Sequence, residues 1–221
     1  MTSQDKDYVP VLRYRFLTPL YDAAIALLTR EGAWRQSVLK ALDTQSGERI
    51  LDIGCGTGSL LSLVHRHQPD AQLFGIDPDP EIIARAKGKL DAQGDIELFN
   101  DMGDALGQYL EPESLDAVVV TLVLHQVPVV GKEAIINAAF KALKPGGRLI
   151  IGDYAVQPNW FMKQCFKIIQ MLDGYELTQP NADGILIELA TSFGFLEIDI
   201  KDVIKTPTGA ISVMYCGKVS H

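Results

Sequence analysis

From Arg49 onward, short and densely apolar runs alternate with longer stretches whose apolar residues recur every three or four positions. The short runs are "RILDI" (49–53), "AQLFGI" (71–76), "DIELF" (95–99), "LDAVVVT" (115–121) and "RLIIGDY" (148–154). They read as strands. "LDAVVVT" lacks an in–out alternation, which predicts burial on both faces, as parallel sheets require. Between them "LSLVHRH" (61–67), "PEIIARAKGKL" (80–90) and "GKEAIINAAFKAL" (131–143) have helical spacing. Pro80 falls in a first turn, where proline is tolerated. Lys144-Pro145-Gly146-Gly147 stops the last helix. Five strands separated by helices predict a parallel sheet with right-handed crossovers, covered on both faces.

The two ends break this rhythm. Residues 9–42 read as helical, with Leu20, Ala23, Ala24, Leu27 and Leu28 at helical spacing, and Val38, Leu39 and Leu42 on one side of a second stretch. After the helix "GILIELATSF" (184–193), "FLEIDIKDV" (195–203) and "AISVMYCGKV" (210–219) read as strands joined only by "IKTPTG". So short a link holds no crossover helix, so the pair is antiparallel. The expected architecture is one α/β domain, doubly wound on a seven-stranded mixed sheet. Most strands are parallel, with one antiparallel strand near the edge. Its parts are a helical cap (1–44), a core (45–154), a lid and helix (155–193) and the antiparallel pair (194–221). Residues 155–181 are expected over the top of the sheet.

The chain has 221 residues, 47% apolar and 22% charged, which suits a single well-built core. A net charge of −8 argues against a large nucleic-acid footprint. Cys55, Cys165 and Cys216 lack metal-ligand spacing and read as reduced cytoplasmic thiols. "MTSQDKDYVP" has no signal-peptide pattern, and no apolar run approaches the roughly 20 residues of a bilayer span. No metal is expected, and a monomer or homodimer is.

The candidate chemistry centres on "ILDIGCGTGSLL" (50–61), where Gly54, Gly56 and Gly58 alternate between a strand and a helix. An open parallel sheet binds ligands outside the carboxyl ends of its strands. Glycine there admits positive φ and lets a ligand approach bare main chain. The helix start offers unpaired N–H groups to an anion. A dinucleotide fingerprint would place its third glycine at Ser59, one position later than Gly58, and no P-loop lysine follows. Asp77, ending the next strand about 20 residues on, stands where a carboxylate accepts ribose hydroxyls. Asp101, after the third strand, is either a further contact on that edge or a helix N-cap.

Together "ILDIGCGTG", "GIDPD", "FNDM", "LDAVVVTLVLHQVP" and "LKPGGRLIIGDY" resemble the class I S-adenosylmethionine-dependent methyltransferases, in order from Arg49 to Tyr154. The closing strands look like the sixth and seventh of that Rossmann-like fold, and within the family the chain looks most like the small-molecule branch that includes quinone-ring C-methyltransferases, a similarity to which "TPLYD" (18–22) adds. The resemblance implies that Gly54, Cys55, Gly56 and Gly58 floor the methionine part of S-adenosylmethionine. Asp52 would hold its amino group or merely brace the loop. Asp77 would take the ribose, with Pro78 against the adenine and Asp101 and Met102 at its edge and face. Thr121 and Leu122 would line the pocket near the sulfonium, and Tyr21 would cover the cofactor.

Catalysis would rest mainly on alignment of nucleophile, methyl and sulfur. His125, after the fourth strand, is the candidate general base, against a plain structural histidine; Tyr14, Tyr21 and Tyr154 are alternatives. His65 and His67 read as a solvated helix end. The apolar content of residues 155–183 points to a small apolar or aromatic acceptor. A nicotinamide-dependent oxidoreductase and a non-catalytic cofactor-binding protein are the rival readings.

Overall fold

The computed structural model describes residues 29–94 and 96–220. Tyr14, Tyr21 and the "TPLYD" segment therefore lie outside the described residues, as does most of the expected N-terminal cap. Seven strands build one sheet: β1 (Arg49–Ile53), β2 (Gln72–Ile76), β3 (Ile96–Phe99), β4 (Leu115–Thr121), β5 (Leu143–Tyr154), β6 (Glu197–Thr206) and β7 (Gly209–Gly217). Their spatial order is β3-β2-β1-β4-β5-β7-β6. The first five strands run parallel, and β7 is antiparallel to both β5 and β6. The chain moves outward from β1 to β3 and restarts at β4 on β1's other side. The crevice between β1 and β4 is thus the topological switch point, where ligands bind in open α/β sheets.

Neighbouring residues on each strand feed opposite layers. Ile50 joins a core formed with Trp34, Val38, Leu60, Leu61, Ile83 and Phe166. Leu51 and Ile53 join the other, with Ile135, Ile136, Leu186 and Phe195. So α1 (Glu31–Leu42), α2 (Ser59–His67), α3 (Pro80–Leu90) and α5 (Trp160–Asp173) cover one face. The other face is covered by α4 (Val129–Ala142) and α7 (Ile185–Ser192). Asp79 caps α3, accepting from Glu81 N and Ile82 N, with Pro80 at the first helical position.

Three boundaries differ from expectation. Helix α4 stops at Ala142, before Lys144–Gly147 as expected, but that segment is a bulge inside β5 and not a link outside the strand. The register jumps from Leu115 opposite Leu143 to Ala117 opposite Arg148. The extra residues are absorbed by Gly146 at φ +82°. The last two strands approach each other more closely than expected, linked only by Pro207 and Thr208. Residues 155–183 fold as α5 and α6 (Tyr175–Asp183), where Asn159 caps α5 by accepting from Met162 N at 2.9 Å. Among the described residues no helix is long and apolar enough to cross a membrane.

Candidate functional site

The sheet register brings the candidate residues to one level. Ile53 pairs with Ile76 and Val120, and Ile76 with Phe99, so Gly54, Asp77, Asn100 and Thr121 all leave their strands on the same rim. The three loop glycines all have positive φ (71°, 54° and 71°), yet they answer different needs. A Cβ at Gly54 would stand 2.2 Å from Val123 Cγ2, and one at Gly58 would stand 2.5 Å from Leu90 Cδ1. Those two permit close packing. At Gly56 a Cβ would meet nothing within 4 Å, so its bare main chain faces open space. The loop is held from below: Gly54 N and Cys55 N donate to Ile76 O at 2.8 and 3.1 Å, and Gly56 N donates to Asp77 Oδ2 at 3.0 Å. The Cys55 side chain turns into the core, and burial pushes its thiol up. Only its main chain belongs to the loop surface.

Asp52 lies beneath this loop, 2% exposed, and its Oδ1 has no hydrogen-bond partner among the described residues. Burial pushes its carboxyl up to about 7; the Arg35 charge opposes this and the Asp77 charge adds to it. Asp77 spends both oxygens on main chain, Oδ2 on Gly56 N and Oδ1 on Asp79 N at 3.0 Å. Burial still raises its carboxyl above the usual range. Asn100 Nδ2 donates to Asp77 O at 2.9 Å, tying the ends of β2 and β3 together. Pro78 is half-buried and Met102 exposed on the same rim.

Asp101 is not the N-cap of a helix. The next helical turn starts at Leu106, after Ala105, with no side-chain cap. Asp101 instead accepts from its neighbour Met102 N at 2.8 Å and from Tyr109 Oη–H at 2.9 Å. The Tyr109 ring stacks on Phe99 at 4.5 Å. At the end of β4, Thr121 and Leu122 are half-buried. Leu122 has φ +54°, a left-handed conformation that a branched side chain takes only when its surroundings enforce it. Its N–H donates to Gly152 O at 2.9 Å.

Two cations reach the loop that sequence reading did not single out. Arg35 comes from α1 and acts on Asp52. Lys89, near the end of α3, donates to Ser59 Oγ at 2.6 Å. Burial and the charge of Arg35 pull its ammonium down. Gly58, the N-cap of α2, carries no side chain to cap that helix. Uncapped N–H groups there suit an anion, with Lys89 beside them, while Arg35 is already paired with Glu31.

His125 sits after β4 as expected, but it is buried at 3% exposure. Its Nδ1 lies 2.6 Å from Asp153 Oδ1 and its Nε2 lies 3.3 Å from Asp173 Oδ2. Burial alone would lower it, but the charges of Asp153 and Asp173 and their bonds prevail and hold it up at about 9. Tyr154 is also buried, its hydroxyl 2.7 Å from Thr208 Oγ1. A broad groove of about 1130 Å³, lined by Ser37, Lys40, Arg148, Lys201 and Tyr215, lies toward the amino ends of the strands. It is away from this rim, and Arg148 there is already bound by Glu48.

Residues 50–147 match the family model of a methyltransferase domain. A demethylmenaquinone methyltransferase of Lactococcus lactis is 29% identical over 221 residues, covering 90% of this chain and 85% of that protein. An uncharacterized 37.1 kDa protein in transposon TN4556 of Streptomyces fradiae is 31% identical over 129 residues, or 58% of this chain; the match spans about a third (35%) of its length. Among solved structures, Haemonchus contortus phosphoethanolamine N-methyltransferase 2 in complex with S-adenosyl-L-methionine is similar at TM-score 0.66 and 18% identity. That likeness covers 85% of this chain and 52% of that one. With the sheet order and glycine loop beside it, the match over residues 50–147 makes this part of the chain similar to a methyltransferase domain.

Proposed function

We propose that the β1–β4 rim holds S-adenosylmethionine and that the enzyme methylates a small apolar or aromatic acceptor. One observation carries the placement of the cofactor: the buried Asp52 carboxylate with an unpartnered oxygen, below the open main chain of Gly56. A buried acceptor without a partner is costly unless a ligand supplies the donor, and the cofactor's amino group is such a donor. Gly54, Cys55, Gly56 and Gly58 would floor its amino-acid tail, with Lys89 and the α2 N-terminus receiving the carboxylate. Asp77 would use its remaining lone pairs on the ribose hydroxyls, and its charge would repel a 2′-phosphate. Pro78 and Met102 would flank the adenine, with Asp101 at its edge and Tyr109 bracing Asp101.

When bound, the cofactor supplies an electrophilic methyl group on a sulfonium. Thr121 and Leu122 would shape the wall beside it, Leu122 through its enforced backbone. Gripping the positive charge tightly would stabilise the ground state as much as the transition state. The chain's contribution is therefore alignment and exclusion of water. His125 has both ring nitrogens engaged by carboxylates, which favours the structural reading over a general base. Residues 155–183 would form the lid.

The acceptor class rests on the exposed apolar side chains of α5, among them Trp160, Phe161 and Met171. It also rests on the name of the Lactococcus relative, whose acceptor is a demethylmenaquinone. The net charge of −8 and free thiols support a cytoplasmic small-molecule enzyme, monomeric or homodimeric, over one acting on nucleic acid. The methyltransferase match sets aside the oxidoreductase reading.

Replacing Asp77→Ala is expected to weaken S-adenosylhomocysteine binding by roughly 1–3 kcal/mol, since a charged acceptor and the Gly56 tie are lost together. Isothermal calorimetry on both proteins checks this. Equal affinities would place the ribose elsewhere. A second titration with NAD should give no heat; heat from NAD with none from S-adenosylmethionine would overturn the cofactor assignment.

A further inference from the structure

Helix α5 is held unevenly. Met162, Phe166 and Ile169 bury its inner face, while Trp160, Phe161, Ile168, Met171 and Leu172 leave an apolar outer face exposed. No described element covers that outer side. At its C-terminal end the helix meets the carboxyl rim through polar contacts. Asp173 Oδ2 lies 3.3 Å from His125 Nε2, and His125 Nδ1 lies 2.6 Å from Asp153 Oδ1. Asp153 is fully buried, and its oxygens also accept from Leu124 N at 2.8 Å, His125 N at 3.3 Å and Tyr154 N at 2.7 Å. It therefore locks the turn after β4 to the end of β5.

Two further ties act on α6. Lys132, buried on α4, donates to Leu177 O at 2.9 Å and Val127 O at 2.5 Å. Asn181 Nδ2 donates to Tyr154 O at 3.0 Å. An aspartate in the last turn of a helix opposes the helix dipole. Asp173 is thus placed against local preference, and the imidazole facing it is what compensates.

We propose that Asp173, His125 and Asp153 form a relay that fixes α5 and α6 against the carboxyl ends of β4 and β5, so that His125 is a positioning residue of the acceptor pocket. This rests on reading residues 155–183 as a wall of that pocket. With both ring nitrogens bonded, His125 offers no lone pair to an acceptor proton, and it acts through the helix it holds. The charged and titratable groups facing it are Asp153 and Tyr154 on β5, Asp173 on α5 and Lys132 on α4, whose ammonium senses Asp153.

The relay has a pH signature. His125 is raised from 6.5 to about 9, so its link is fully present below pH 6.5 and is lost as pH rises through about 9. Lys132, pulled down to about 8 by burial against the attraction of Asp153, titrates nearby with the opposite effect on stability. The loosening is therefore expected in the α5–α6 segment rather than as a simple global loss.

Hydrogen exchange of the full chain from pH 6 to 10, corrected for intrinsic rates, tests the proposal. In the wild type, peptides within 160–183 should lose protection about tenfold through pH 9. In Asp173→Asn they should exchange about tenfold faster already at pH 7, with the pH step flattened. Asp173→Glu should restore much of the step. Peptides from the glycine loop and S-adenosylhomocysteine affinity should change less than about twofold, because Asp173 bonds to none of the residues assigned to the cofactor. Wild-type exchange and an intact step in Asp173→Asn would overturn the relay. So would equal deprotection of every strand, which would mark a merely structural contact. Failure of the wild type to bind S-adenosylhomocysteine would instead sink the cofactor placement and leave the exchange result to judge the relay.

Discussion

Gly54→Ala is expected to lower the stability of the fold by about 2–4 kcal/mol, combining a left-handed backbone penalty with overpacking. The residue sits at φ +71°, and its new methyl would fall 2.2 Å from Val123 Cγ2. Val123 follows Leu122, itself held at φ +54°, so the strain would pass directly to the end of β4. Gly56→Ala is the control. Its φ of +54° carries a backbone penalty of about 1–2 kcal/mol, but the methyl would meet nothing within 4 Å. Its unfolding midpoint should fall through that backbone penalty alone, less than for Gly54→Ala, and it should lose cofactor affinity, because the methyl enters the space assigned to the ligand. Urea melts with matched slopes, followed by calorimetry with S-adenosylhomocysteine, separate the two. A Gly56→Ala protein that binds normally would move the ligand off this loop.

Asp52→Asn should change stability and binding in opposite directions. Its carboxyl is raised from 3.8 to about 7, so the folded protein holds a proton there that the unfolded chain has released. The burial penalty is absent below about pH 4, grows as pH rises toward 7, and is fully present above it. Removing the charge should therefore stabilise the cofactor-free protein by about 1–3 kcal/mol at pH 8 and by little at pH 4. The gain stays below the full linkage value because Arg35 loses the charge it faces. Cofactor affinity should fall at least about tenfold, as a charge-assisted acceptor becomes a neutral one. This is the trade between stability and function expected of a site that keeps a buried charge for its ligand. Thermal melts at both pH values and a binding titration check it. A loss of stability at pH 8 would identify Asp52 as a brace for the loop.

The strands of the parallel core, the antiparallel closing pair and the place of the glycine loop are legible in local pattern alone. These depend on local periodicity, on link length and on glycine's freedom at positive φ, all of which can be read within about a dozen residues. The sequence also led to Asp77, Asp101 and His125, which end or come after strands, and, through the family resemblance, to Asp52. What it did not reveal was how those side chains are engaged. The Lys144–Gly147 stop became a bulge because β4 and β5 had to keep their pairing on both sides of it. The Cys55 thiol turned inward to fill the space beside Gly75.

Only the tertiary structure brought Arg35 and Lys89 to the loop, seated Tyr109 on Asp101, and set His125 between Asp153 and Asp173. Those partners are separated in sequence by up to 48 residues and come from different elements. Their meeting depends on which face each helix buries and on how the strands register, so no local pattern announces it. Backbone conformation is decided mostly by near neighbours, whereas the charge state of a buried group is decided by whatever packing places against it.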